Sequence, residues 1–148
     1  MKNTYFVLIL VIASVFLSSS CEKMVMEPNM PETYDGRQVK EEGTVYVSDK
    51  KVTLNIWAKN TSDNDIVTLV VNNKTEVSGF TLGGSSNKKE LNLKLENDGY
   101  NYILLYINDT GNVTPTEAMI TIDDGTGEQE ITLTADLSYC GGAHIYVQ

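Results

Sequence analysis

Few side chains in this sequence could carry chemistry, and their types narrow the choice quickly. His144 is the single histidine, and Cys21 and Cys140 are the only cysteines. A Ser-His-Asp site would have to use His144, and nothing near it in sequence resembles a nucleophile elbow. Zinc takes three or four nitrogen or sulfur ligands as a rule, and a chain with one histidine and two cysteines, one of them at the N-terminal leader, is not expected to assemble them. The residues therefore read as those of a non-enzyme. Calcium prefers hard oxygen ligands, and Asn60, Ser62, Asp63, Asn64 and Asp65 crowd one stretch, with Asp123 and Asp124 in another. Neither stretch has the spacing of an EF-hand. Asn and Asp also populate turns because their side chains bond the local backbone. Calcium on Asn60, Asp63 and Asp65 and a plain turn are the two readings of the first stretch. No other cofactor is expected.

The aromatic residues are the stronger signal. Tyr100, Tyr102 and Tyr106 share one parity, and Ile103, Leu105 and Ile107 share the other. In a strand, alternate side chains face opposite sides, so a core on the Ile/Leu side turns the tyrosines outward. Tyr46, Trp57 and Tyr146 are outward on their own strands, and His144 points with Tyr146. Flat aromatics on a sheet face can stack on sugar rings or on a partner protein. They can equally stabilise cross-strand pairs. Trp57, Tyr100, Tyr102, Tyr106 and Tyr146 are thus the candidate ligand contacts.

These side chains need strands to position them, and the sequence supplies strands almost exclusively. From Gly43 onward the apolar residues recur with period two: Val45 and Val47; Val52, Leu54, Ile56 and Ala58; Val67, Leu69 and Val71; Leu91, Leu93 and Leu95; Ala118, Ile120 and Ile122; Ile131, Leu133 and Ala135; Ala143, Ile145 and Val147. Asn72-Asn73 suits a two-residue hairpin turn, because Asn tolerates positive φ. About eight short strands at this spacing, with no helical pattern, predict an all-β fold: an antiparallel two-sheet sandwich of immunoglobulin-like type. The disulfide that flanks a core Trp in antibody domains is absent. Cys140 reads as a small buried hydrophobe.

Composition sets further bounds. Twenty acidic side chains against 11 basic ones give a net charge of −9. Such a chain repels phosphate backbones, so nucleic acid is not an expected partner. Residues 43–148 suffice for one core and not for two.

The N-terminus resembles a bacterial lipoprotein leader. Lys2 is followed by an apolar run over residues 5–17, broken only by Ser14 and too short to span a bilayer. Ser18, Ser19 and Ser20 then precede Cys21. A cysteine at this place resembles a lipobox, in which the thiol is diacylated and becomes the mature N-terminus. Ser18 stands where the usual box has Leu, as in the serine-rich boxes of Bacteroidota lipoproteins. The resemblance implies a signal peptide over 1–20, lipid attachment at Cys21, a flexible linker over 21–42 with Pro28 and Pro31, and a sandwich over 43–148. The other reading of this stretch is an ordinary secretory signal with a chance cysteine. Glu22 and Lys23 resemble the charged tag that sends some of these lipoproteins to the cell surface.

Two further stretches resemble exported β domains of the Bacteroidota. Residues 52–73 read VTLNIWAKNTSDNDIVTLVVNN, and residues 101–125 read NYILLYINDTGNVTPTEAMITIDDG, with Asn108, Gly111, Pro115, Ala118, Ile120, Ile122 and Gly125 at matching places. The resemblance implies a sandwich in the cell envelope, lipid-anchored at the outer membrane, and carries no catalytic residue with it. The expected partners are the membrane, through the N-terminal lipid, and either a glycan or an envelope protein. Presentation of a binding or adhesion surface and service as an accessory subunit of an envelope complex are the two roles this reading allows.

Overall fold

The computed structural model describes residues 29–60, 64–109 and 114–148. The leader, Cys21 and Asp63 lie outside them. Ten strands form: β1 (Thr33–Tyr34), β2 (Arg37–Val47), β3 (Lys51–Ala58), β4 (Ile66–Val71), β5 (Lys74–Thr81), β6 (Lys89–Lys94), β7 (Tyr100–Asp109), β8 (Thr116–Asp123), β9 (Glu128–Ala135) and β10 (Tyr139–Val147). They make a six-stranded sheet in the order β1-β2-β10-β7-β4-β5 and a four-stranded sheet in the order β6-β3-β8-β9. The expected all-β, two-sheet sandwich is what the chain forms, with ten strands where the sequence pattern predicts about eight.

The alternating apolar residues build the core. Val52, Leu54, Ile56 and Ala58 of β3 and Ala118, Ile120 and Ile122 of β8 meet Val67, Leu69, Val71, Ile103, Leu105 and Ile107 of the facing sheet. A slip of one residue in any of these strands would turn its whole apolar set to water, which fixes the register. Asn72 and Asn73 both take positive φ, 48° and 65°, and close the β4–β5 hairpin as the sequence suggests. Below that turn the Asn72 side chain donates to Asn101 Oδ1 at 2.7 Å and accepts from the Tyr102 amide at 3.0 Å.

One pairing departs from the antiparallel rule. β2 and β10 run parallel, with Val45 opposite Ile145 and Val47 opposite Val147. A parallel pair needs a long connection between its members, and here the connection is the rest of the sandwich. A bulge interrupts this pair: Glu41 opposes Gly142 and Gly43 opposes Ala143, which leaves Glu42 unpaired. The Glu42 side chain is thereby aimed at β9, where it accepts from the Thr134 amide and hydroxyl. Further along, the Gln129 side chain exchanges hydrogen bonds with the Tyr46 backbone. Side chains thus seal the seam between β9, an edge strand, and the part of β2 that extends beyond its short pairing with β1.

The sheet also begins earlier than the sequence pattern suggests. β1 and the first half of β2 occupy residues 33–42, a stretch expected as linker. Asp35 and Gly36 turn between them with φ of 49° and 77°, a two-residue hairpin of the Asp-Gly kind. Residues ahead of and within this hairpin cover the outside of the six-stranded sheet. Met30, Tyr34 and Val39 pack on Val70, Tyr102 and Leu104 and make a second, smaller apolar cluster. β7 is therefore buried on both faces for much of its length, which explains its nearly continuous apolar sequence.

The turn after β8 carries a pH-dependent tie. The Asp124 carboxylate accepts from the Ser48 amide, in the β2–β3 turn, and from the Thr126 amide and hydroxyl. These bonds favour the ionised form, the Ser48 amide most, and bring its pKa from 3.8 to about 2. A carboxyl with a depressed folded-state pKa stabilises the fold above its unfolded value, and that contribution is lost as pH falls through the folded one. Asp124→Asn is therefore expected to lower the thermal midpoint at pH 7, with the difference from the parent closing as pH falls from about 4 to about 2. Melting curves across that range test it, and a difference independent of pH would remove the carboxylate's role.

Candidate functional site

The outer face of the six-stranded sheet gathers most of the aromatic side chains among the described residues. Register pairs Tyr46 of β2 with Tyr146 of β10, and Tyr146 with Tyr100 of β7, so three tyrosines form one row across three strands. The Tyr46 and Tyr146 rings stack with centroids 5.7 Å apart and planes at 21°, and Tyr146 meets Tyr100 edge-on at 5.4 Å. Tyr46 is 50% exposed and Tyr146 37% exposed, so the stacked pair presents ring surface to solvent. Two large, rigid rings with few torsions to fix make contact area at low entropic cost.

A polar relay stands beside the row. The Met30 amide donates to Tyr100 Oη at 3.0 Å. That hydroxyl lies 2.9 Å from His144 Nδ1, and His144 Nε2 lies 3.3 Å from a carboxylate oxygen of Glu41. The tautomer with its proton on Nε2 satisfies the whole chain: Tyr100 donates to Nδ1, and Nε2 donates to Glu41. Burial raises the Tyr100 pKa, against the opposing effect of the Met30 amide. Asn29, Met30, Glu41, Tyr100, His144 and Tyr146 line a shallow cleft of about 380 Å³ here. Such a cleft offers aromatic surface together with a carboxylate and an imidazole. That is the equipment to bind an uncharged polar ring rather than an anion.

The other candidates fall elsewhere. Tyr102 has the expected parity but is fully buried, because Met30, Tyr34 and Val39 cover it; it packs and does not present a ring. Burial also raises its hydroxyl pKa. Trp57 lies on the outer face of the opposite, four-stranded sheet, beside its partner Met119. It is only 8% exposed, with the Lys88 ammonium 3.9 Å from the ring centre. Trp57 therefore never meets the tyrosines. Tyr106 shares their face at its far end. The Arg37 guanidinium covers its ring at 4.1 Å, and its hydroxyl donates to Asp35 at 2.7 Å.

In the Asn-rich loop, the Asn60 side-chain amide donates to Glu117 at 3.3 Å. Asp65 is buried and accepts from the Thr116 hydroxyl. Asp63 lies outside the described residues. Among the described residues no group of three or more His, Cys, Asp or Glu side chains is placed to hold a metal. Cys140 is buried beside Arg37, and burial pushes its thiol up to about 11, away from reactivity.

Glu41, Asn29 and Met30 are site residues that strand parity alone does not find, since they fall in a stretch without alternation. The Asp35-Gly36 pair is the signal that locates them, because it marks a hairpin and so places the residues around it on the sheet. Together the fold and this face define an all-β sandwich that presents an aromatic, carboxylate-edged surface. No family model, no curated protein and no solved structure matches the chain.

Proposed function

We propose that this protein is a non-catalytic, lipid-anchored envelope protein that binds carbohydrate on the outer face of its six-stranded sheet. The observation that carries the reading is the half-exposed Tyr46–Tyr146 stack beside the Tyr100–His144–Glu41 relay. A pyranose ring offers an apolar face to such a stack and hydroxyls to the neighbouring polar groups. Lipid attachment rests on the lipobox-like sequence at Cys21. Asn29 lines the cleft, and the chain from Cys21 to Asn29 reaches about 28 Å at full extension. An acylated Cys21 would hold the cleft that close to the membrane surface. Two or three acyl chains would make that hold durable, since one chain alone binds only marginally.

The expected result is that the full-length chain is retained on an array of neutral glycans, and that Tyr146→Ala weakens retention about tenfold, the scale of one lost aromatic contact of about 1.4 kcal/mol. An array that retains nothing, with a stoichiometric envelope protein recovered by crosslinking from membranes, would replace this reading with that of an accessory subunit using the tyrosines as its interface.

A further inference from the structure

The far end of the same sheet face carries a second cleft, of about 450 Å³, separated from the first by the segment that covers Tyr102 and Leu104. Tyr34, Asp35 and Tyr106 line it together with Thr75, Ser78 and Asn108. We propose that it is a second carbohydrate subsite, specific for an uncharged sugar ring; the inference rests on the carbohydrate reading given above.

The argument is one of donors and acceptors. The Tyr34 and Tyr106 rings meet edge-to-face at 5.8 Å and give the cleft an apolar wall. Asp35 uses one carboxylate oxygen on the Tyr106 hydroxyl and keeps the other as an acceptor. Asn108 accepts from the Thr68 hydroxyl at 2.7 Å through Oδ1, which leaves its amide nitrogen to donate. Thr75 and Ser78 are exposed hydroxyls that donate or accept. Adjacent sugar hydroxyls each donate and accept, and this set answers both roles.

The charges exclude other ligand classes. No cationic side chain lines the cleft. Arg37, whose guanidinium lies against the Tyr106 ring, donates to the Ile107 and Asp136 carbonyls at 2.8 and 3.1 Å and to the Tyr106 oxygen at 3.1 Å. A phosphate, sulfate or sialic acid would meet the Asp35 carboxylate in the lining, while Arg37 lies outside the lining and directs donors to Ile107, Asp136 and Tyr106. One carboxylate is too few for a divalent cation.

The cleft is also built before any ligand arrives. The positive φ of Asp35 and Gly36 fixes the carboxylate in a two-residue turn, and Arg37 and Asp35 together hold the Tyr106 hydroxyl. Such prior ordering cuts the entropic cost of binding. Tyr100 and Tyr106 stand six residues apart on β7, roughly 20 Å, so the two clefts are separate points of contact.

The test uses the full-length chain, isotopically labelled, titrated with neutral oligosaccharides of glucose, galactose and mannose and with sulfated and sialylated counterparts. Neutral sugars are expected to shift the amides of Thr75, Ser78 and Asn108 as a group distinct from Tyr46 and Tyr146. In a Tyr146→Ala background, Asn108→Ala is expected to remove a further fivefold to tenfold of affinity, and Ser78→Ala, on the exposed edge strand, to weaken binding without altering the melt. Shifts confined to the Tyr46–Tyr146 end, or sugar affinity unmoved by both Asn108→Ala and Ser78→Ala, would overturn the second subsite and leave the first standing. Stronger binding of the sulfated or sialylated sugars at Thr75 and Ser78 would overturn the uncharged specificity. Failure of every sugar to bind would overturn both subsites.

Discussion

A chain that begins at Gly43, where the apolar alternation starts, is expected to lose its cooperative fold, while one that begins at Asn29 keeps it. The shorter chain lacks β1 and the first half of β2. With them go Met30, Tyr34 and Val39, the cover over Val70, Tyr102 and Leu104. Exposing three buried side chains of this size costs about 1.5–3 kcal/mol each. The Glu42 bond to the Thr134 amide and the Arg37 bonds to the Ile107 and Asp136 carbonyls disappear too. Each hydrogen bond to a charged group contributes about 1.5–3 kcal/mol. Together these losses match the whole stability of an ordinary domain, about 5–15 kcal/mol. Near-ultraviolet circular dichroism and calorimetry on the two chains decide the matter. A shorter chain melting within a few degrees of the longer one would show that the cover is dispensable.

Gly141→Ala should be the most damaging single methyl added to the molecule. A Cβ at Gly141 would stand 2.5 Å from the Thr134 carbonyl oxygen and 2.6 Å from Glu42 Oε2. The first is backbone of β9, held in register along the whole of β8, and the second is the side chain that caps that backbone. Neither can move without opening the seam between the sheets. Overpacking of this kind costs about 1–3 kcal/mol and occasionally more, and loss of the Glu42 cap adds to it, so a fall of about 10 °C in the thermal midpoint is expected. Gly142→Ala should cost less, because its near neighbours are the ends of the Met30, Val39 and Leu104 side chains. Gly127→Ala, with nothing within 4 Å, serves as the control. Equal melting of all three variants would mean that the β2–β9 seam gives way easily.

These two outcomes depend on a part of the fold that the sequence hides. Alternation identifies the inward face of β2 from Val45 onward and of β3, β4, β7, β8, β9 and β10 correctly, since one buried face imposes one register. Residues 37–42 read RQVKEE, with Val39 the only apolar member, and so carry no such pattern. Their place is fixed by pairing with β10, more than a hundred positions away, which no local window can see. The same distance explains the aromatic set. Parity puts Tyr102 and Trp57 on outer faces, and they are there. It says nothing of what lies above them, and Met30 covers one while Lys88 covers the other. The Tyr46–Tyr146–Tyr100 row depends on the register of three strands from separate parts of the chain. The Asp35-Gly36 turn was open to reading in advance, because both its residues suit positive φ.

The parallel partnership of β2 and β10 bears on the order of assembly. Closure of the larger sheet requires β10, the last of its six strands in chain order, to slot between β2 and β7. Contacts this far apart in sequence put folding on the scale of milliseconds to seconds, far slower than local hairpins form. Until residues 139–147 emerge, β2 has no neighbour along most of its length and β7 lacks one of its two flanking strands. The larger sheet stays open until its last strand in chain order docks.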